Sequence, residues 1–143
     1  MQWPRIFTAM ITPFAEDYAL ALPKAAALAR WLVRHGTDGL MLAGTTGESP
    51  TLSLAERQAL YETIREAVPG VPVWLGTGTN STEESIRLTE AATRWGADGV
   101  MLVAPYYNKP PQEGLYQHFR RVAEHTPLPV MIYNVPGRTS VNV

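Results

Sequence analysis

Five short apolar runs recur along the chain at a nearly even interval: IFTAMI (6–11), GLMLAG (39–44), VPVWLG (71–76), GVMLVAP (99–105) and LPVMIYN (128–134). Each has the length of a strand and is apolar throughout, the pattern of a parallel sheet covered on both faces. Their starts lie roughly 30 residues apart, about one strand, one helix and two loops. Parallel strands must be joined by crossovers, so the interval predicts a βα repeat.

The intervening segments read as helices. LPKAAALARWLVRHG (22–36) places Ala26, Leu28, Leu32 and Val33 at helical spacing and stops at Gly36. SLAERQALYETIREAV (53–68) opens with Ser53 and has Glu56 three residues on, a capping box, and it ends before Pro69. NSTEESIRLTEAATRWG (80–96) offers Ser81 or Thr82 as a cap, acidic residues in its first turn and Gly96 at its end. QEGLYQHFRRVAEHT (112–126) is shut off by Pro127. An internal echo supports the repeat: RHGTDGLML (34–42) and RWGADGVML (94–102) match across helix stop, loop and strand start.

Such a repeat builds either an open doubly wound sheet or a closed (β/α)8 barrel. The regular period, and polar clusters after every strand in place of one glycine-rich first turn, favour the barrel. The expected fold is therefore α/β, a partial (β/α)8 barrel of five strands and four helices in one domain over residues 1–143. A fifth helix is due at TSVNV, where the sequence stops.

Composition excludes several function classes. With 12 basic and 13 acidic side chains and no run of like charge, no nucleic-acid groove or anionic membrane surface is expected. The chain has no cysteine, which removes disulfides and thiolate metal sites. MQWPRIFTAMITPF carries no apolar stretch long enough for a signal segment or a membrane span, and the expected location is the cytoplasm. Small molecules and other copies of the chain remain as partners.

In either architecture chemistry belongs beyond the C-terminal ends of the strands. The residues there are Thr12-Pro13, Gly44-Thr45-Thr46-Gly47-Glu48, Gly76-Thr77-Gly78-Thr79-Asn80, Pro105-Tyr106-Tyr107-Asn108, and Tyr133-Asn134 followed by Gly137-Arg138-Thr139. Neither glycine-rich stretch has the spacing of a Walker loop or a dinucleotide fingerprint. Local sequence leaves two readings open: strand-to-helix turns needing positive φ, or hydroxyls and backbone N–H groups that cradle a carboxylate or phosphate. Tyr133 at a strand end is either a proton shuttle or a core tyrosine, and Arg138 is either a carboxylate fork or a surface arginine. Tyr106 and Tyr107 fit stacking in a subunit contact. His35, His118 and His125 lie on or at the ends of helices with no metal-ligand spacing, so surface or capping roles are expected. Glu48 is expected to brace its loop, and Glu83-Glu84 to be first-turn charges on a solvated face.

Taken together, ITPF (11–14), GTTGESPTL (44–52), GTGTNST (76–82), PYYNKPPQEGLYQHF (105–119) and YNVPGRTSVN (133–142) resemble the N-terminal half of the dihydrodipicolinate synthase family. That family lies among the pyruvate-dependent class I aldolases and is related to the N-acetylneuraminate lyases. The resemblance implies a (β/α)8 barrel in which pyruvate forms a Schiff base with a sixth-strand lysine. The resulting enamine adds to aspartate semialdehyde on the way to diaminopimelate and lysine. No metal or separate cofactor is implied, the covalent pyruvate adduct taking that place.

Residue by residue, Thr45, Tyr133 and Tyr107 match the proton-relay triad, with Tyr107 reaching a neighbouring subunit's site in a homodimer or tetramer. Thr45 and Thr46 match the pyruvate-carboxylate binders, and Arg138 matches the residue that positions the semialdehyde carboxylate. The chain departs from the pattern in its lysines: only Lys24 and Lys109 are present, and neither stands at the Schiff-base position. The expectation is a truncated form with little or no activity alone. Its alternatives are a non-catalytic keto-acid-binding half-barrel and a fragment that associates with a full-length synthase.

Overall fold

The computed structural model describes residues 4–143, so the first three residues of the N-terminal stretch lie outside the described residues. In chain order the elements are β1 (Phe7–Ala9), α1 (Leu22–Arg34), β2 (Gly39–Leu42), a 3-10 turn (Ser49–Thr51), α2 (Leu54–Ala67), β3 (Val73–Gly76), α3 (Thr82–Trp95), β4 (Gly99–Val103), α4 (Gln112–Ala123), β5 (Val130–Tyr133) and α5 (Pro136–Thr139). The five expected strands and four expected helices are present, with strands shorter than their apolar runs. Prolines trim two of them: Pro72 and Pro129 accept from Leu40 N and Val100 N but have no N–H to return. The fifth helix due at TSVNV falls earlier, as a single turn at Pro136–Thr139, and residues 141–143 are not helical. Pro136 pre-sets the first helical φ, and Ser140 N closes the turn on Pro136 O at 2.9 Å.

The residues form two compact units, one running to Leu75 and the other spanning Gly76–Val143. In the first, β1 pairs with β2 and β2 with β3, all parallel, in registers such as Thr8↔Leu40 and Met41↔Trp74. A doubly wound sheet would turn back on its first strand, whereas here each strand lies beside its successor, as in a (β/α)8 barrel. The second unit repeats the pattern with β4 parallel to β5. The fold is thus the βα repeat of a partial (β/α)8 barrel.

β2 and β3 are buried on both faces as their pattern requires, with Leu40, Leu42, Val73, Trp74 and Leu75 at most 1% exposed, whereas β1 is half-buried with Ala9 exposed and β5 leaves Ile132 and Tyr133 exposed. Phe7 and Trp74 meet edge to face with ring centroids 5.2 Å apart. α1 and α2 pack on each other in this unit. From α1 the buried residues are Ala25, Ala26 and Ala29, so Ala26 keeps its expected place while Leu28, Leu32 and Val33 are half-buried. Small side chains at the centre of the contact let the helix sit close, and the larger ones spread to its flanks. In the second unit Ile86, Leu102, Ala104, Leu115, Phe119 and Val122 form one cluster.

Helix ends follow local chemistry. Ser53 and Glu56 make the expected reciprocal capping box, and Ser81 caps α3 by accepting from Glu84 N. The internal echo has a structural counterpart. Gly36 N donates to Val33 O and Thr37 N to Leu32 O, while Gly96 N donates to Thr93 O and Ala97 N to Ala92 O. Both are Schellman closures, with left-handed glycines at φ +99° and +82°.

One histidine expected at the surface is buried. His118 lies at 5% exposure, shares a 2.9 Å hydrogen bond between Nδ1 and Thr82 Oγ1, and leaves Nε2 without a partner. It continues the apolar stripe Leu115, Phe119, Val122 of α4, and tertiary packing outweighs its polarity. His35 and His125 do stay at the surface and bond back to Trp31 O and Arg121 O. Burial holds the His118 imidazole below its ordinary value. Near pH 6.5, the ordinary histidine value, the unfolded chain binds a proton that the folded chain resists. Its contribution to stability is therefore complete above that pH and declines as pH falls below it. Urea midpoints measured between about pH 7.5 and 5 should fall more steeply for the native chain than for His118→Leu. Parallel profiles would remove His118 as the cause.

Candidate functional site

The loop after β2 is fixed from beneath and open at its tip. Gly44 O accepts from Gly47 N and Ser49 N, and Thr45 O accepts from Glu48 N, winding residues 44–49 into a tight turn. Thr12 Oγ1, in the stretch after β1, donates to Gly47 O at 2.7 Å within the buried base. Arg57 of α2 holds the outgoing side: its Nη2 donates to Ser49 O at 2.6 Å and Ser49 Oγ at 2.7 Å, and its Nε to Leu52 O at 3.4 Å. Thr45 and Thr46 are exposed, and among the described residues their N–H and hydroxyl groups have no hydrogen-bond partner. Two amides and two hydroxyls thus face solvent from a braced turn, a set suited to an anion.

The glycines of these loops serve a purpose other than the positive φ that the sequence left open. Left-handed backbone occurs at Ala43 (φ +50°) and Glu48 (φ +56°), which flank the turn, and not at Gly44, Gly47, Gly76 or Gly78. Glu48 accordingly braces its loop through its backbone, with its carbonyl accepting from Thr51 N and Thr51 Oγ1. Gly47 is needed for close approach: a Cβ there would stand 3.0 Å from Met10 O and 3.2 Å from Thr12 Oγ1.

The stretch after β3 is likewise structural. Thr77 N and Gly78 N both donate to Met101 O, and a Cβ on Gly78 would collide with Val103 N and the Leu102 backbone. Thr77 and Thr89 share a buried hydroxyl contact of 2.8 Å, and Thr79 N donates to Ser85 Oγ at 2.9 Å. Its polar groups are mostly committed to the start of α3, so this stretch is not an open cradle.

In the second unit a cavity of about 670 Å3 is lined by Tyr106, Tyr107, Lys109, Arg138 and Ser140. The loop after β4 that forms one wall is tied to the loop after β3 by Asn108. Its Nδ2 donates to Asn80 O at 2.7 Å, and its Oδ1 accepts from Asn80 Nδ2 at 3.3 Å. That tie holds Tyr107 at 90% exposure with left-handed φ. Arg138 is carried by α5, which Thr139 secures with its single hydroxyl proton shared between Val135 O and Val141 O.

Tyr133 ends β5, is 38% exposed and does not line this cavity. Of the residues singled out from sequence, the cavity gathers Tyr106, Tyr107, Lys109 and Arg138. Thr45 and Thr46 belong to the first unit. Lys24 is exposed on α1, and Lys109 lies in the cavity wall.

Arg57 and the Asn80–Asn108 pair were missed from sequence. Arg57 had a visible signal: with Leu60, Tyr61 and Ile64 it occupies one i, i+3, i+4, i+7 stripe of α2, so a charge was placed on the buried face. The asparagines are 28 residues apart and gave none.

Among the described residues no group of three His, Asp or Glu side chains could hold a metal ion, and no helix is long and apolar enough to cross a membrane. The glycine argument is testable by thermal melting. Gly78→Ala should lower the midpoint by about 5 °C or more, whereas Gly137→Ala, with open space around its added methyl, should shift it by less than about 2 °C. Equal shifts would show that close approach is not what selects glycine at 78.

Comparison with known proteins places the chain among enzymes of one kind. The dihydrodipicolinate synthetase family model matches residues 2–143. A 4-hydroxy-tetrahydrodipicolinate synthase of Desulforudis audaxviator is 59% identical over 140 residues, 97% of this chain and 48% of that protein. A solved dihydrodipicolinate synthase of Bacillus anthracis superposes with a TM-score of 0.96 at 52% identity, covering 99% of this chain and 49% of the other. The chloride-inhibited enzyme of Acinetobacter baumannii, solved with pyruvate, has a TM-score of 0.92 at 44% identity, covering 96% and 47%. The chain spans about half the length of the relatives it matches.

Proposed function

The chain belongs to the dihydrodipicolinate synthetase family, and from that premise we propose that its residues supply the N-terminal share of a site that joins pyruvate to aspartate semialdehyde in lysine biosynthesis. The observation that carries the reading is the turn after β2, where Thr45 and Thr46 present unused amides and hydroxyls on a braced backbone. A carboxylate accepts from such donors without their having to rearrange, which makes the turn a ready holder of the pyruvate carboxylate.

In the proposed reaction a lysine amine condenses with the keto carbonyl of pyruvate and water leaves. The iminium draws electrons from the methyl carbon, which loses a proton to give an enamine. The enamine carbon attacks the aldehyde carbon, whose oxygen takes up a proton. Such steps need a group that accepts and returns protons, and Thr45, Tyr133 and Tyr107 are assigned that relay. Arg138 is assigned the carboxylate of the semialdehyde, for which its planar fork is suited. No separate cofactor is needed, since the protonated imine is itself the electron sink.

Neither lysine of the chain is assigned the nucleophile: Lys24 is on the outer face of α1 and Lys109 in the loop after β4. The Schiff-base amine is therefore supplied from outside these residues, and the chain by itself binds pyruvate without turning it over. Tyr107, projecting from its clamped loop, is assigned to the site of a second copy, which makes a homo-oligomer the working form. The working place of such an enzyme is the cytoplasm.

Two measurements on the chain test this. Pyruvate followed by borohydride should leave its mass unchanged, and a stoichiometric adduct on Lys24 or Lys109 would overturn the placing of the nucleophile. Pyruvate titrated into labelled chain should move the Thr45 and Thr46 amide signals saturably. Thr46→Val should weaken that binding by about tenfold or more, the loss of one hydrogen bond to a charged group. Amides that do not respond would sink the carboxylate role.

A further inference from the structure

The cavity of the second unit holds more positive charge than one carboxylate requires. Lys109 and Arg138 both line it, together with the hydroxyl-bearing Tyr106, Tyr107 and Ser140, and no carboxylate does. Elsewhere on the surface five arginines are paired, Arg5 with Asp38, Arg87 with Glu84, Arg94 with Glu90, Arg120 with Glu124 and Arg121 with Glu83, whereas Arg30 and Arg34 of α1 are exposed without an acidic partner among the described residues. Among the described residues neither Lys109 nor Arg138 has an acidic partner.

The backbone of the walls is also exceptional. Among the described residues six non-glycine residues are left-handed, and three of them, Tyr107 (φ +71°), Lys109 (φ +48°) and Ser140 (φ +59°), line this one cavity. Such conformations are unfavourable for residues with a Cβ and persist only where surrounding contacts impose them. Here the contacts are the Asn80–Asn108 pair on one wall and, on the other, Asn134 Nδ2 donating to Asn142 Oδ1 at 2.8 Å and Gln112 Nε2 to Asn142 O at 2.7 Å. The backbone that carries two cations and three hydroxyls around this volume is thereby held in place before any ligand arrives, while the Lys109 and Arg138 side chains stay exposed.

We propose that this cavity binds a short dicarboxylate, with one carboxylate on the Arg138 fork and the second on the Lys109 ammonium, so that Lys109 determines the preference for a dianion over a monoanion. The inference rests on the reading above in one respect, that Arg138 holds a substrate carboxylate. It adds the second cation and its consequence. In the proposed reaction each substrate brings one carboxylate and the joined product carries two, so a dianion site on this loop discriminates the product class from either substrate.

Succinate and butyrate have the same number of carbons and differ in charge. They would be titrated into the labelled chain at about pH 7.5 and matched ionic strength, where both carboxylates of succinate are ionised. Succinate should bind about fivefold tighter than butyrate, with saturable shifts at residues 106–109 and 138–140. Lys109→Gln should bring succinate down to the level of butyrate and leave butyrate within about twofold, while Arg138→Gln should weaken both. Signals outside these loops, unchanged in each variant, report that the fold is intact.

Equal affinities in the native chain, or a preference that survives Lys109→Gln, overturn the inference. If the preference is missing while Thr45 and Thr46 still answer pyruvate, the inference fails alone. If Lys109→Gln abolishes the preference but butyrate binding survives Arg138→Gln, the role given to Arg138 above is what falls.

Discussion

Parallel pairing is the constraint from which the rest follows. A strand can lie parallel to its predecessor only if the chain crosses back over the sheet, and the crossover here is a helix each time. Within each unit the strands therefore run in one direction, and the loops that leave them emerge at the same end. Polar residues placed after strands are collected there without any strand having to give up an apolar position. Thr12 meeting Gly47 O is this rule at atomic scale, because the segments after β1 and β2 are neighbours only because those strands are.

Gathering loops at one end also crowds them, and glycine relieves the crowding. Gly47 and Gly78 sit where a neighbouring segment comes too near for a Cβ, while the left-handed turns fall on Ala43, Glu48, Tyr107, Lys109 and Ser140. The usual association of glycine with positive φ thus holds at the helix ends Gly36 and Gly96, where only local geometry matters. It is displaced in the loops, where the space between segments matters more. Residues with side chains then carry the strain: Ala43 is buried, while Tyr107, Lys109 and Ser140 line one cavity.

What could be read from sequence divides along the same line. Strand spacing, the Ser53–Glu56 box and the Gly36 and Gly96 closures depend on residues within a few positions of one another, and they were legible. The barrel-type repeat was legible too, since its period is a property of the chain. Arg57 and His118 were partly legible: each occupies a position of an otherwise apolar stripe, but Arg57 was passed over and the polarity of His118 pulled its reading toward the surface. Packing of α2 against the loop gives Arg57 three oxygen acceptors, so the burial of its charge is compensated. The Asn80–Asn108 pair and the pairing of Lys109 with Arg138 in one cavity join residues about 30 apart, and no local pattern encodes them. The one-turn α5 was lost for the opposite reason, being too short to show a period.

The exposed Tyr107 shows why the clamp and the strain belong together. A tyrosine this open gains nothing from packing within the chain, and its loop is wound through two left-handed residues that oppose folding. A flexible loop would let the phenol collapse onto the nearest apolar surface. The Asn108 amide, anchored on the backbone of Asn80, prevents that and fixes the direction in which the ring projects. Holding a large amphipathic ring in one orientation lowers the entropy lost when it meets another surface, and the benefit appears only in that encounter. The geometry of the loop is intelligible as preparation for a contact outside the chain, and the proposed place of Tyr107 in the site of a second copy is a contact of that kind.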